Sequence, residues 1–182
     1  MNIVKYPDRK DWVSLLERPH RDASELRETV KTVLDRIQED GDAAVKEFEQ
    51  KFDKVQLESL AVSEAEMQEA EGLVSPDLAD ALKLAHSNIE KFHASQKFNS
   101  AKVEVAPGVV CWQKSVPIEK VGLYIPGGTA PLFSTVLMLA TPAKIAGCKE
   151  IVLCTPPNRE GKVHPAILVA ARIAGVNKIF KA

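Results

Sequence analysis

The chain has 182 residues, 45% of them hydrophobic and 27% charged, with 24 Lys and Arg against 25 Asp and Glu. That length suits one domain or two small ones, with a core that hides roughly 70% of the unfolded surface. The near-zero charge excludes nucleic-acid binding driven by a general basic field and excludes an acidic disordered tail.

Three cysteines, Cys111, Cys148 and Cys154, make no readable disulfide framework. Reduced thiols in the cytoplasm are the expectation. The opening MNIVKYPDRKDW has no apolar signal-peptide core. The most apolar stretch, 130–146, is interrupted by Ser134, Thr135, Thr141, Pro142 and Lys144, so no membrane span is expected.

Residues 1–20 read as an arm with a short helix carrying Trp12, Val13, Leu15 and Leu16, bracketed by Pro7 and Pro19. A helix follows from Ser24 to Glu39, its apolar face formed by Leu26, Val30, Val33, Leu34 and Ile37. Ser24 suits its N-cap and Gly41 its end. Asp42 opens a second helix to Lys51, with Ala44, Val45 and Phe48 inward, and a short strand covers 60–62. Ser63 with Glu66 three residues on forms a capping box for a third helix that Gly72 limits. Ser75-Pro76 opens the longest helix, to about Lys97, with Leu78, Leu82, Ala85, Ile89, Phe92 and Gln96 as its stripe.

Beyond Phe98 the texture changes to short β-branched runs punctuated by Gly and Pro. Val103–Val105 and Val109–Trp112 flank Pro107-Gly108 as a hairpin. Val116–Ile125 is a strand ending in Pro126-Gly127-Gly128. A helix from Leu132 to Ala146, a strand from Ile151 to Cys154, a helix from Pro165 to Ala174 and a strand from Lys178 to Phe180 complete a βαβαβ order. That order implies an α/β fold with a parallel sheet. The expected division is an arm at 1–20, a helical region with a hairpin at 21–123, and part of a Rossmann-like domain at 124–182. The last strand is very short with no helix after it, so a truncated sheet is expected.

The strand–glycine–helix passage around Gly127 and Gly128 presents backbone N–H groups and a helix N-terminus to an anion, with Thr129 or Ser134 as donors. It equally describes a tight turn, since it is neither of the familiar phosphate-loop patterns. Tyr124 stands at the C-terminal edge of the sheet, where ligands lie in open α/β folds. A base or a nicotinamide stacks there, or the ring belongs to the core.

His86, Glu90 and His93 share one helix face, a spacing that suits metal ligands but more commonly a solvated helix edge. Cys148 and Cys154 are thiols with no nearby histidine and read as inert. His164 reads as a surface cap. The acidic run Glu64, Glu66, Glu69 and Glu71 reads as a solvated helix face.

The stretch VGLYIPGGTAPLFSTVLMLATPAKIAGCKEIVLCTPP at 121–157 resembles the N-terminal half of histidinol dehydrogenases. GDAAVKEFEQKFD at 41–53, SNIEKFHASQK at 87–97, PGVVCWQKSVPIEKVGLYIPGG at 107–128 and the closing AGVNKIFKA carry the same resemblance. It implies an aldehyde dehydrogenase-like architecture and the NAD-dependent, two-step oxidation of L-histidinol to L-histidine. Zinc as a metal cofactor and a cytoplasmic homodimer are implied too, with no nucleic acid and no membrane involved. By position it makes Tyr124 a cofactor-binding residue that contacts NAD. It puts the zinc ligands and the catalytic Glu-His pair beyond Ala182, so the chain by itself is expected to be inactive, with no catalytic or metal residue of its own. Two other readings stand beside it: an aldehyde or acyl-phosphate reductase using a catalytic cysteine, and a non-catalytic assembly module.

Overall fold

A computed structural model describes residues 3–18, 24–127, 130–176 and 178–182. They fall into two units, Met1–Gly41 and Asp42–Ala182. In the first, a single 3-10 turn leads into α1 (Trp12–Leu16), and α2 spans Ser24–Asp40. The Trp12 indole N–H donates to the Pro7 carbonyl at 3.1 Å, and the Arg9 guanidinium lies 5.6 Å from its ring centre. The α2 stripe is less covered than its spacing implies, with Leu26 and Leu34 both more than 60% exposed. Ser24 is the first helical residue, so the N-cap position lies at a residue outside those described.

The second unit opens with α3 (Asp42–Phe48), which passes into a π-helical turn at Glu49–Asp53 instead of continuing to Lys51 as α-helix. The turn stacks Phe48 on Phe52 at 5.6 Å and buries Glu49, whose Oε2 has no hydrogen-bond partner. Burial, and then the charge of Asp53, push the Glu49 carboxyl above its ordinary range.

Next come α4 (Glu64–Leu73) and α5 (Pro76–Ala94). The Ser63 capping box forms with both of its bonds, Glu66 N–H to Ser63 Oγ at 3.2 Å and Ser63 N–H to Glu66 Oε2 at 2.9 Å. Pro76 takes the first helical position of α5, and Ser75 Oγ accepts from Leu78 N–H. Helix α4 runs one residue past Gly72, and α5 stops short of Lys97. Phe92 leaves the stripe: it is 63% exposed and meets His93 edge-on.

The hairpin is β1 (Val103–Ala106) with β2 (Val109–Cys111), turned at Gly108 with φ +79°. Gly tolerates that positive φ without strain. The long strand expected over 116–125 is trimmed to β3 (Lys120–Tyr124), and Val116 and Ile118 are each 70% exposed. Pro117 explains the loss, because a proline has no N–H for a ladder. Then follow α6 (Phe133–Ala146), β4 (Glu150–Thr155), α7 (Pro165–Ala174) and β5 (Lys178–Lys181).

The sheet is parallel in the order β3-β4-β5, pairing Tyr124 with Cys154 and Cys154 with Phe180. The outer side of β5 is closed by the expected 60–62 segment, reduced to one antiparallel bridge from Ala61 to Phe180. Val62 N–H donates to Ile179 O, and Lys181 N–H to Leu60 O. Alternation sends Leu123, Leu153 and Ile179 into one core with Leu82, Val136, Leu137, Ala140 and Ala170 of the helices. Phe180, on the opposite face, packs with Val55, Leu57 and Leu60.

The acidic face of α4 is exposed at Glu64, Glu69 and Glu71, as its sequence suggests, and partly buried at Glu66, and all four carboxylates are ion-paired. Glu64 and Glu71 both reach Arg172 of α7, at 2.5 and 3.1 Å. Glu69 reaches Lys162 at 2.7 Å, and Glu66 reaches the nearly buried Lys181 at 2.6 Å. Burial works against ionising Glu66, but Lys181 and the Ser63 N–H outweigh it and hold the carboxyl below its ordinary 4.5. A depressed carboxyl adds stability above its unfolded value and loses it as pH falls through the folded one. Lys181→Met is therefore expected to cost about 1–3 kcal/mol at pH 7, the scale of leaving a part-buried charge unpaired. The difference from wild type should shrink below about pH 4.5, the ordinary carboxyl value. Urea melts at pH 7 and pH 4 measure both, and an equal difference at the two values contradicts the pairing.

Candidate functional site

The C-terminal edge of the sheet gathers the residues with chemical interest. Tyr124 closes β3, where alternation turns it away from the helical core, and its side chain is 58% exposed. It is not a core tyrosine. The next residue, Ile125, is fully buried. Its N–H donates to Cys154 O at 2.9 Å, and its carbonyl accepts from Thr155 Oγ1 at 2.8 Å. Ala182 N–H donates to Thr155 O at 3.1 Å, extending the tie to the end of β5.

Gly127 follows, and here the need for glycine is steric. A Cβ at Gly127 would stand 2.6 Å from Pro156 Cγ, so the chain leaving β3 lies directly against the chain leaving β4. Gly128 and Thr129 lie outside the described residues. Helix α6 begins close after them with no side-chain cap and no acidic residue in its first turn, and Ser134 is exposed there.

The remaining candidates are scattered. Cys154 is half-buried beside Tyr124, and burial pushes its thiol above the ordinary 9.0. A raised thiol is a poor nucleophile near neutrality, which disfavours the cysteine-reductase reading. Cys111 is exposed on the hairpin, and Cys148 lies at the opposite end of the sheet, just before β4. His164 caps α7, its Nδ1 accepting from Ala166 N–H at 3.2 Å.

His93 Nδ1 lies 2.7 Å from Gln96 Oε1, while His86 is half-buried and Glu90 exposed. Among the described residues, no group of three or more His, Cys, Asp or Glu side chains is placed to hold a metal ion. These residues do not fit zinc, and no chemical step here runs through it. A dinucleotide is different, because an exposed ring at the sheet edge offers a stacking surface beside the start of a helix that has no side-chain cap.

Thr155 and Pro156 gave no signal as site residues in the sequence. Thr155 ends an apolar strand and Pro156 opens a loop, and only the three-dimensional pairing shows that they clasp the turn after Tyr124. Gly127→Ala is expected to destabilise the chain by about 1–3 kcal/mol, the usual cost of overpacking. Thermal unfolding measures it, and an unchanged midpoint contradicts the close approach.

The histidinol dehydrogenase family model matches residues 16–182. The chain is 60% identical over 182 residues to the histidinol dehydrogenase of Bacteroides thetaiotaomicron, covering 100% of this chain and 42% of that protein. It is 46% identical over 158 residues to the histidinol dehydrogenase of Xylella fastidiosa, covering 87% of this chain and 37% of that one. Its fold matches the crystal structure of histidinol dehydrogenase from Elizabethkingia anophelis with a TM-score of 0.92 at 49% identity, over 97% of this chain and 41% of that one. The chain thus spans 42% of the length of the first of these curated relatives and 37% of the second. With the family model matching nearly the whole chain and the fold shared with that solved relative, the chain belongs to the histidinol dehydrogenase family.

Proposed function

We propose that the protein to which these residues belong oxidises L-histidinol to L-histidine with NAD, as a step of histidine biosynthesis. The observation that carries this, beyond family membership, is the exposed Tyr124 ring at the C-terminal edge of a parallel sheet. Ligands in open α/β sheets lie outside that edge. When bound, NAD supplies the acceptor for hydride.

What this chain contributes is placement. Tyr124 offers one aromatic face to the cofactor. The Ile125–Thr155 clasp fixes the end of β3, and Gly127 lets the following turn pass close to Pro156. Zinc belongs to the proposal for the whole protein only, since the described residues hold no donor set for it. On the same ground, these 182 residues alone are proposed not to turn over histidinol.

No described helix is long and apolar enough to cross a membrane. A cytoplasmic location and a homodimer complete the proposal, and the arm at 1–20 supplies apolar side chains for association, with Val13 and Leu16 more than 75% exposed. The division into arm, helical region with hairpin (21–123) and sheet region (124–182) is proposed on the same footing.

In the full-length protein, Tyr124→Ala is expected to raise the Michaelis constant for NAD by about five-fold, the equivalent of roughly 1 kcal/mol for one aromatic contact. The constant for histidinol should move less. Steady-state kinetics with each substrate varied in turn test it, and unchanged NAD kinetics assign Tyr124 to packing. Deleting residues 1–20 should lower self-association in sedimentation velocity, and an unaltered distribution argues against the arm.

A further inference from the structure

We infer that Thr155 is a positioning residue for the cofactor edge, acting through Ile125 on Tyr124. The inference rests on the reading of Tyr124 as a cofactor contact and adds a residue to it. Position 155 is fully buried, and the side chains sharing its face are the apolar Ile125, Leu153 and Ile179 and, directly across on β5, the nearly buried Lys181, whose ammonium is taken by Glu66. Valine has nearly the shape of threonine, so packing alone gives no reason for a hydroxyl here. A hydroxyl in such a layer costs free energy unless it is hydrogen-bonded. Its bond runs to one place, the carbonyl of Ile125, at 2.8 Å.

That bond matters for where it falls. The β3–β4 ladder ends at the Tyr124–Cys154 pair. Ile125 N–H reaches Cys154 O, one step past the last pair, and the Thr155 hydroxyl takes the Ile125 carbonyl that no strand partner holds. Both polar backbone groups of the residue after Tyr124 are therefore anchored to β4. Immediately downstream, Gly127 lies against the Pro156 ring and blocks the chain from settling deeper. The clasp thus sets the height and direction at which the chain leaves Tyr124. Without the hydroxyl, the buried Ile125 carbonyl has to turn towards another donor, and the strand end that carries the ring turns with it.

The test uses the full-length protein and equilibrium NAD binding by titration calorimetry, with unfolding midpoints taken in the absence of NAD. Thr155→Val is expected to weaken NAD binding by about five-fold, the scale of one lost hydrogen bond. Thr155→Ser, which keeps the hydroxyl, should stay within about two-fold of wild type on that scale. In a Tyr124→Ala background, Thr155→Val should add little further loss, because its effect passes through the ring. If Thr155→Val does not fold, Thr155→Ala removes the same hydroxyl with less buried bulk and carries the same expectation.

Unchanged NAD affinity in a folded Thr155→Val protein overturns the inference, as does equal weakening by Val and Ser. A full additional loss in the Tyr124→Ala background overturns it as well. Tyr124→Ala with wild-type affinity overturns the underlying reading of Tyr124 and the inference with it. Tyr124→Ala that binds weakly beside Thr155→Val that binds normally sinks the inference alone.

Discussion

Everything at the candidate site depends on one packed layer, the side chains of Leu123, Leu153 and Ile179 pressed against α6 and α7. Parallel strands need helical cover, and the cover here is thorough on that face: Leu137 and Val136 of α6 and Ala170 and Ala171 of α7 are almost wholly hidden from solvent. Burial of this kind is worth about 25 cal/mol per Å² of apolar surface, and it is what holds three short strands in register. Because alternation is strict along a strand, fixing Leu123 inward fixes Tyr124 outward. The exposed ring is a consequence of the core.

The second constraint is electrostatic and ties α4 to the same frame. Ion pairs between exposed side chains contribute little on their own, and those of Glu64, Glu69 and Glu71 are of that kind. Glu66 with Lys181 differs, because the lysine comes from the last strand and is nearly buried. The same carboxylate accepts the Ser63 N–H of the capping box. One side chain therefore caps the start of a helix, neutralises a nearly buried ammonium and anchors β5 beside Thr155, whose carbonyl receives Ala182 N–H.

Much of the architecture was legible before any coordinates. The Ser63–Glu66 box, Pro76 at a helix start, Pro107-Gly108 in a hairpin and the βαβαβ order all rest on local chemistry that a sequence displays. What was missed had local as well as distant causes. Pro117 cut a strand that its apolar neighbours suggested, and Phe92 kept helical spacing but met no partner surface. The acidic run of α4 was legible as an exposed face, but its ion pairs were not, because the cations are far away in sequence: Lys162 is 93 positions from Glu69, and Arg172 is 108 from Glu64. At the site, Tyr124 was legible from its place at a strand end. The roles of Thr155 and Pro156 were not, since neither has meaning until β3 and β4 lie side by side.

On the proposed function, the full-length protein holds NAD at the C-terminal edge of this sheet, where Tyr124 is exposed. The most direct measurement is a crystal structure of the full-length protein with NAD bound. The account predicts NAD lying across that edge with its rings or ribose in van der Waals contact with Tyr124, and the Thr155–Ile125 bond intact beneath it. NAD bound elsewhere, with the Tyr124 ring covered by another part of the protein, would contradict it.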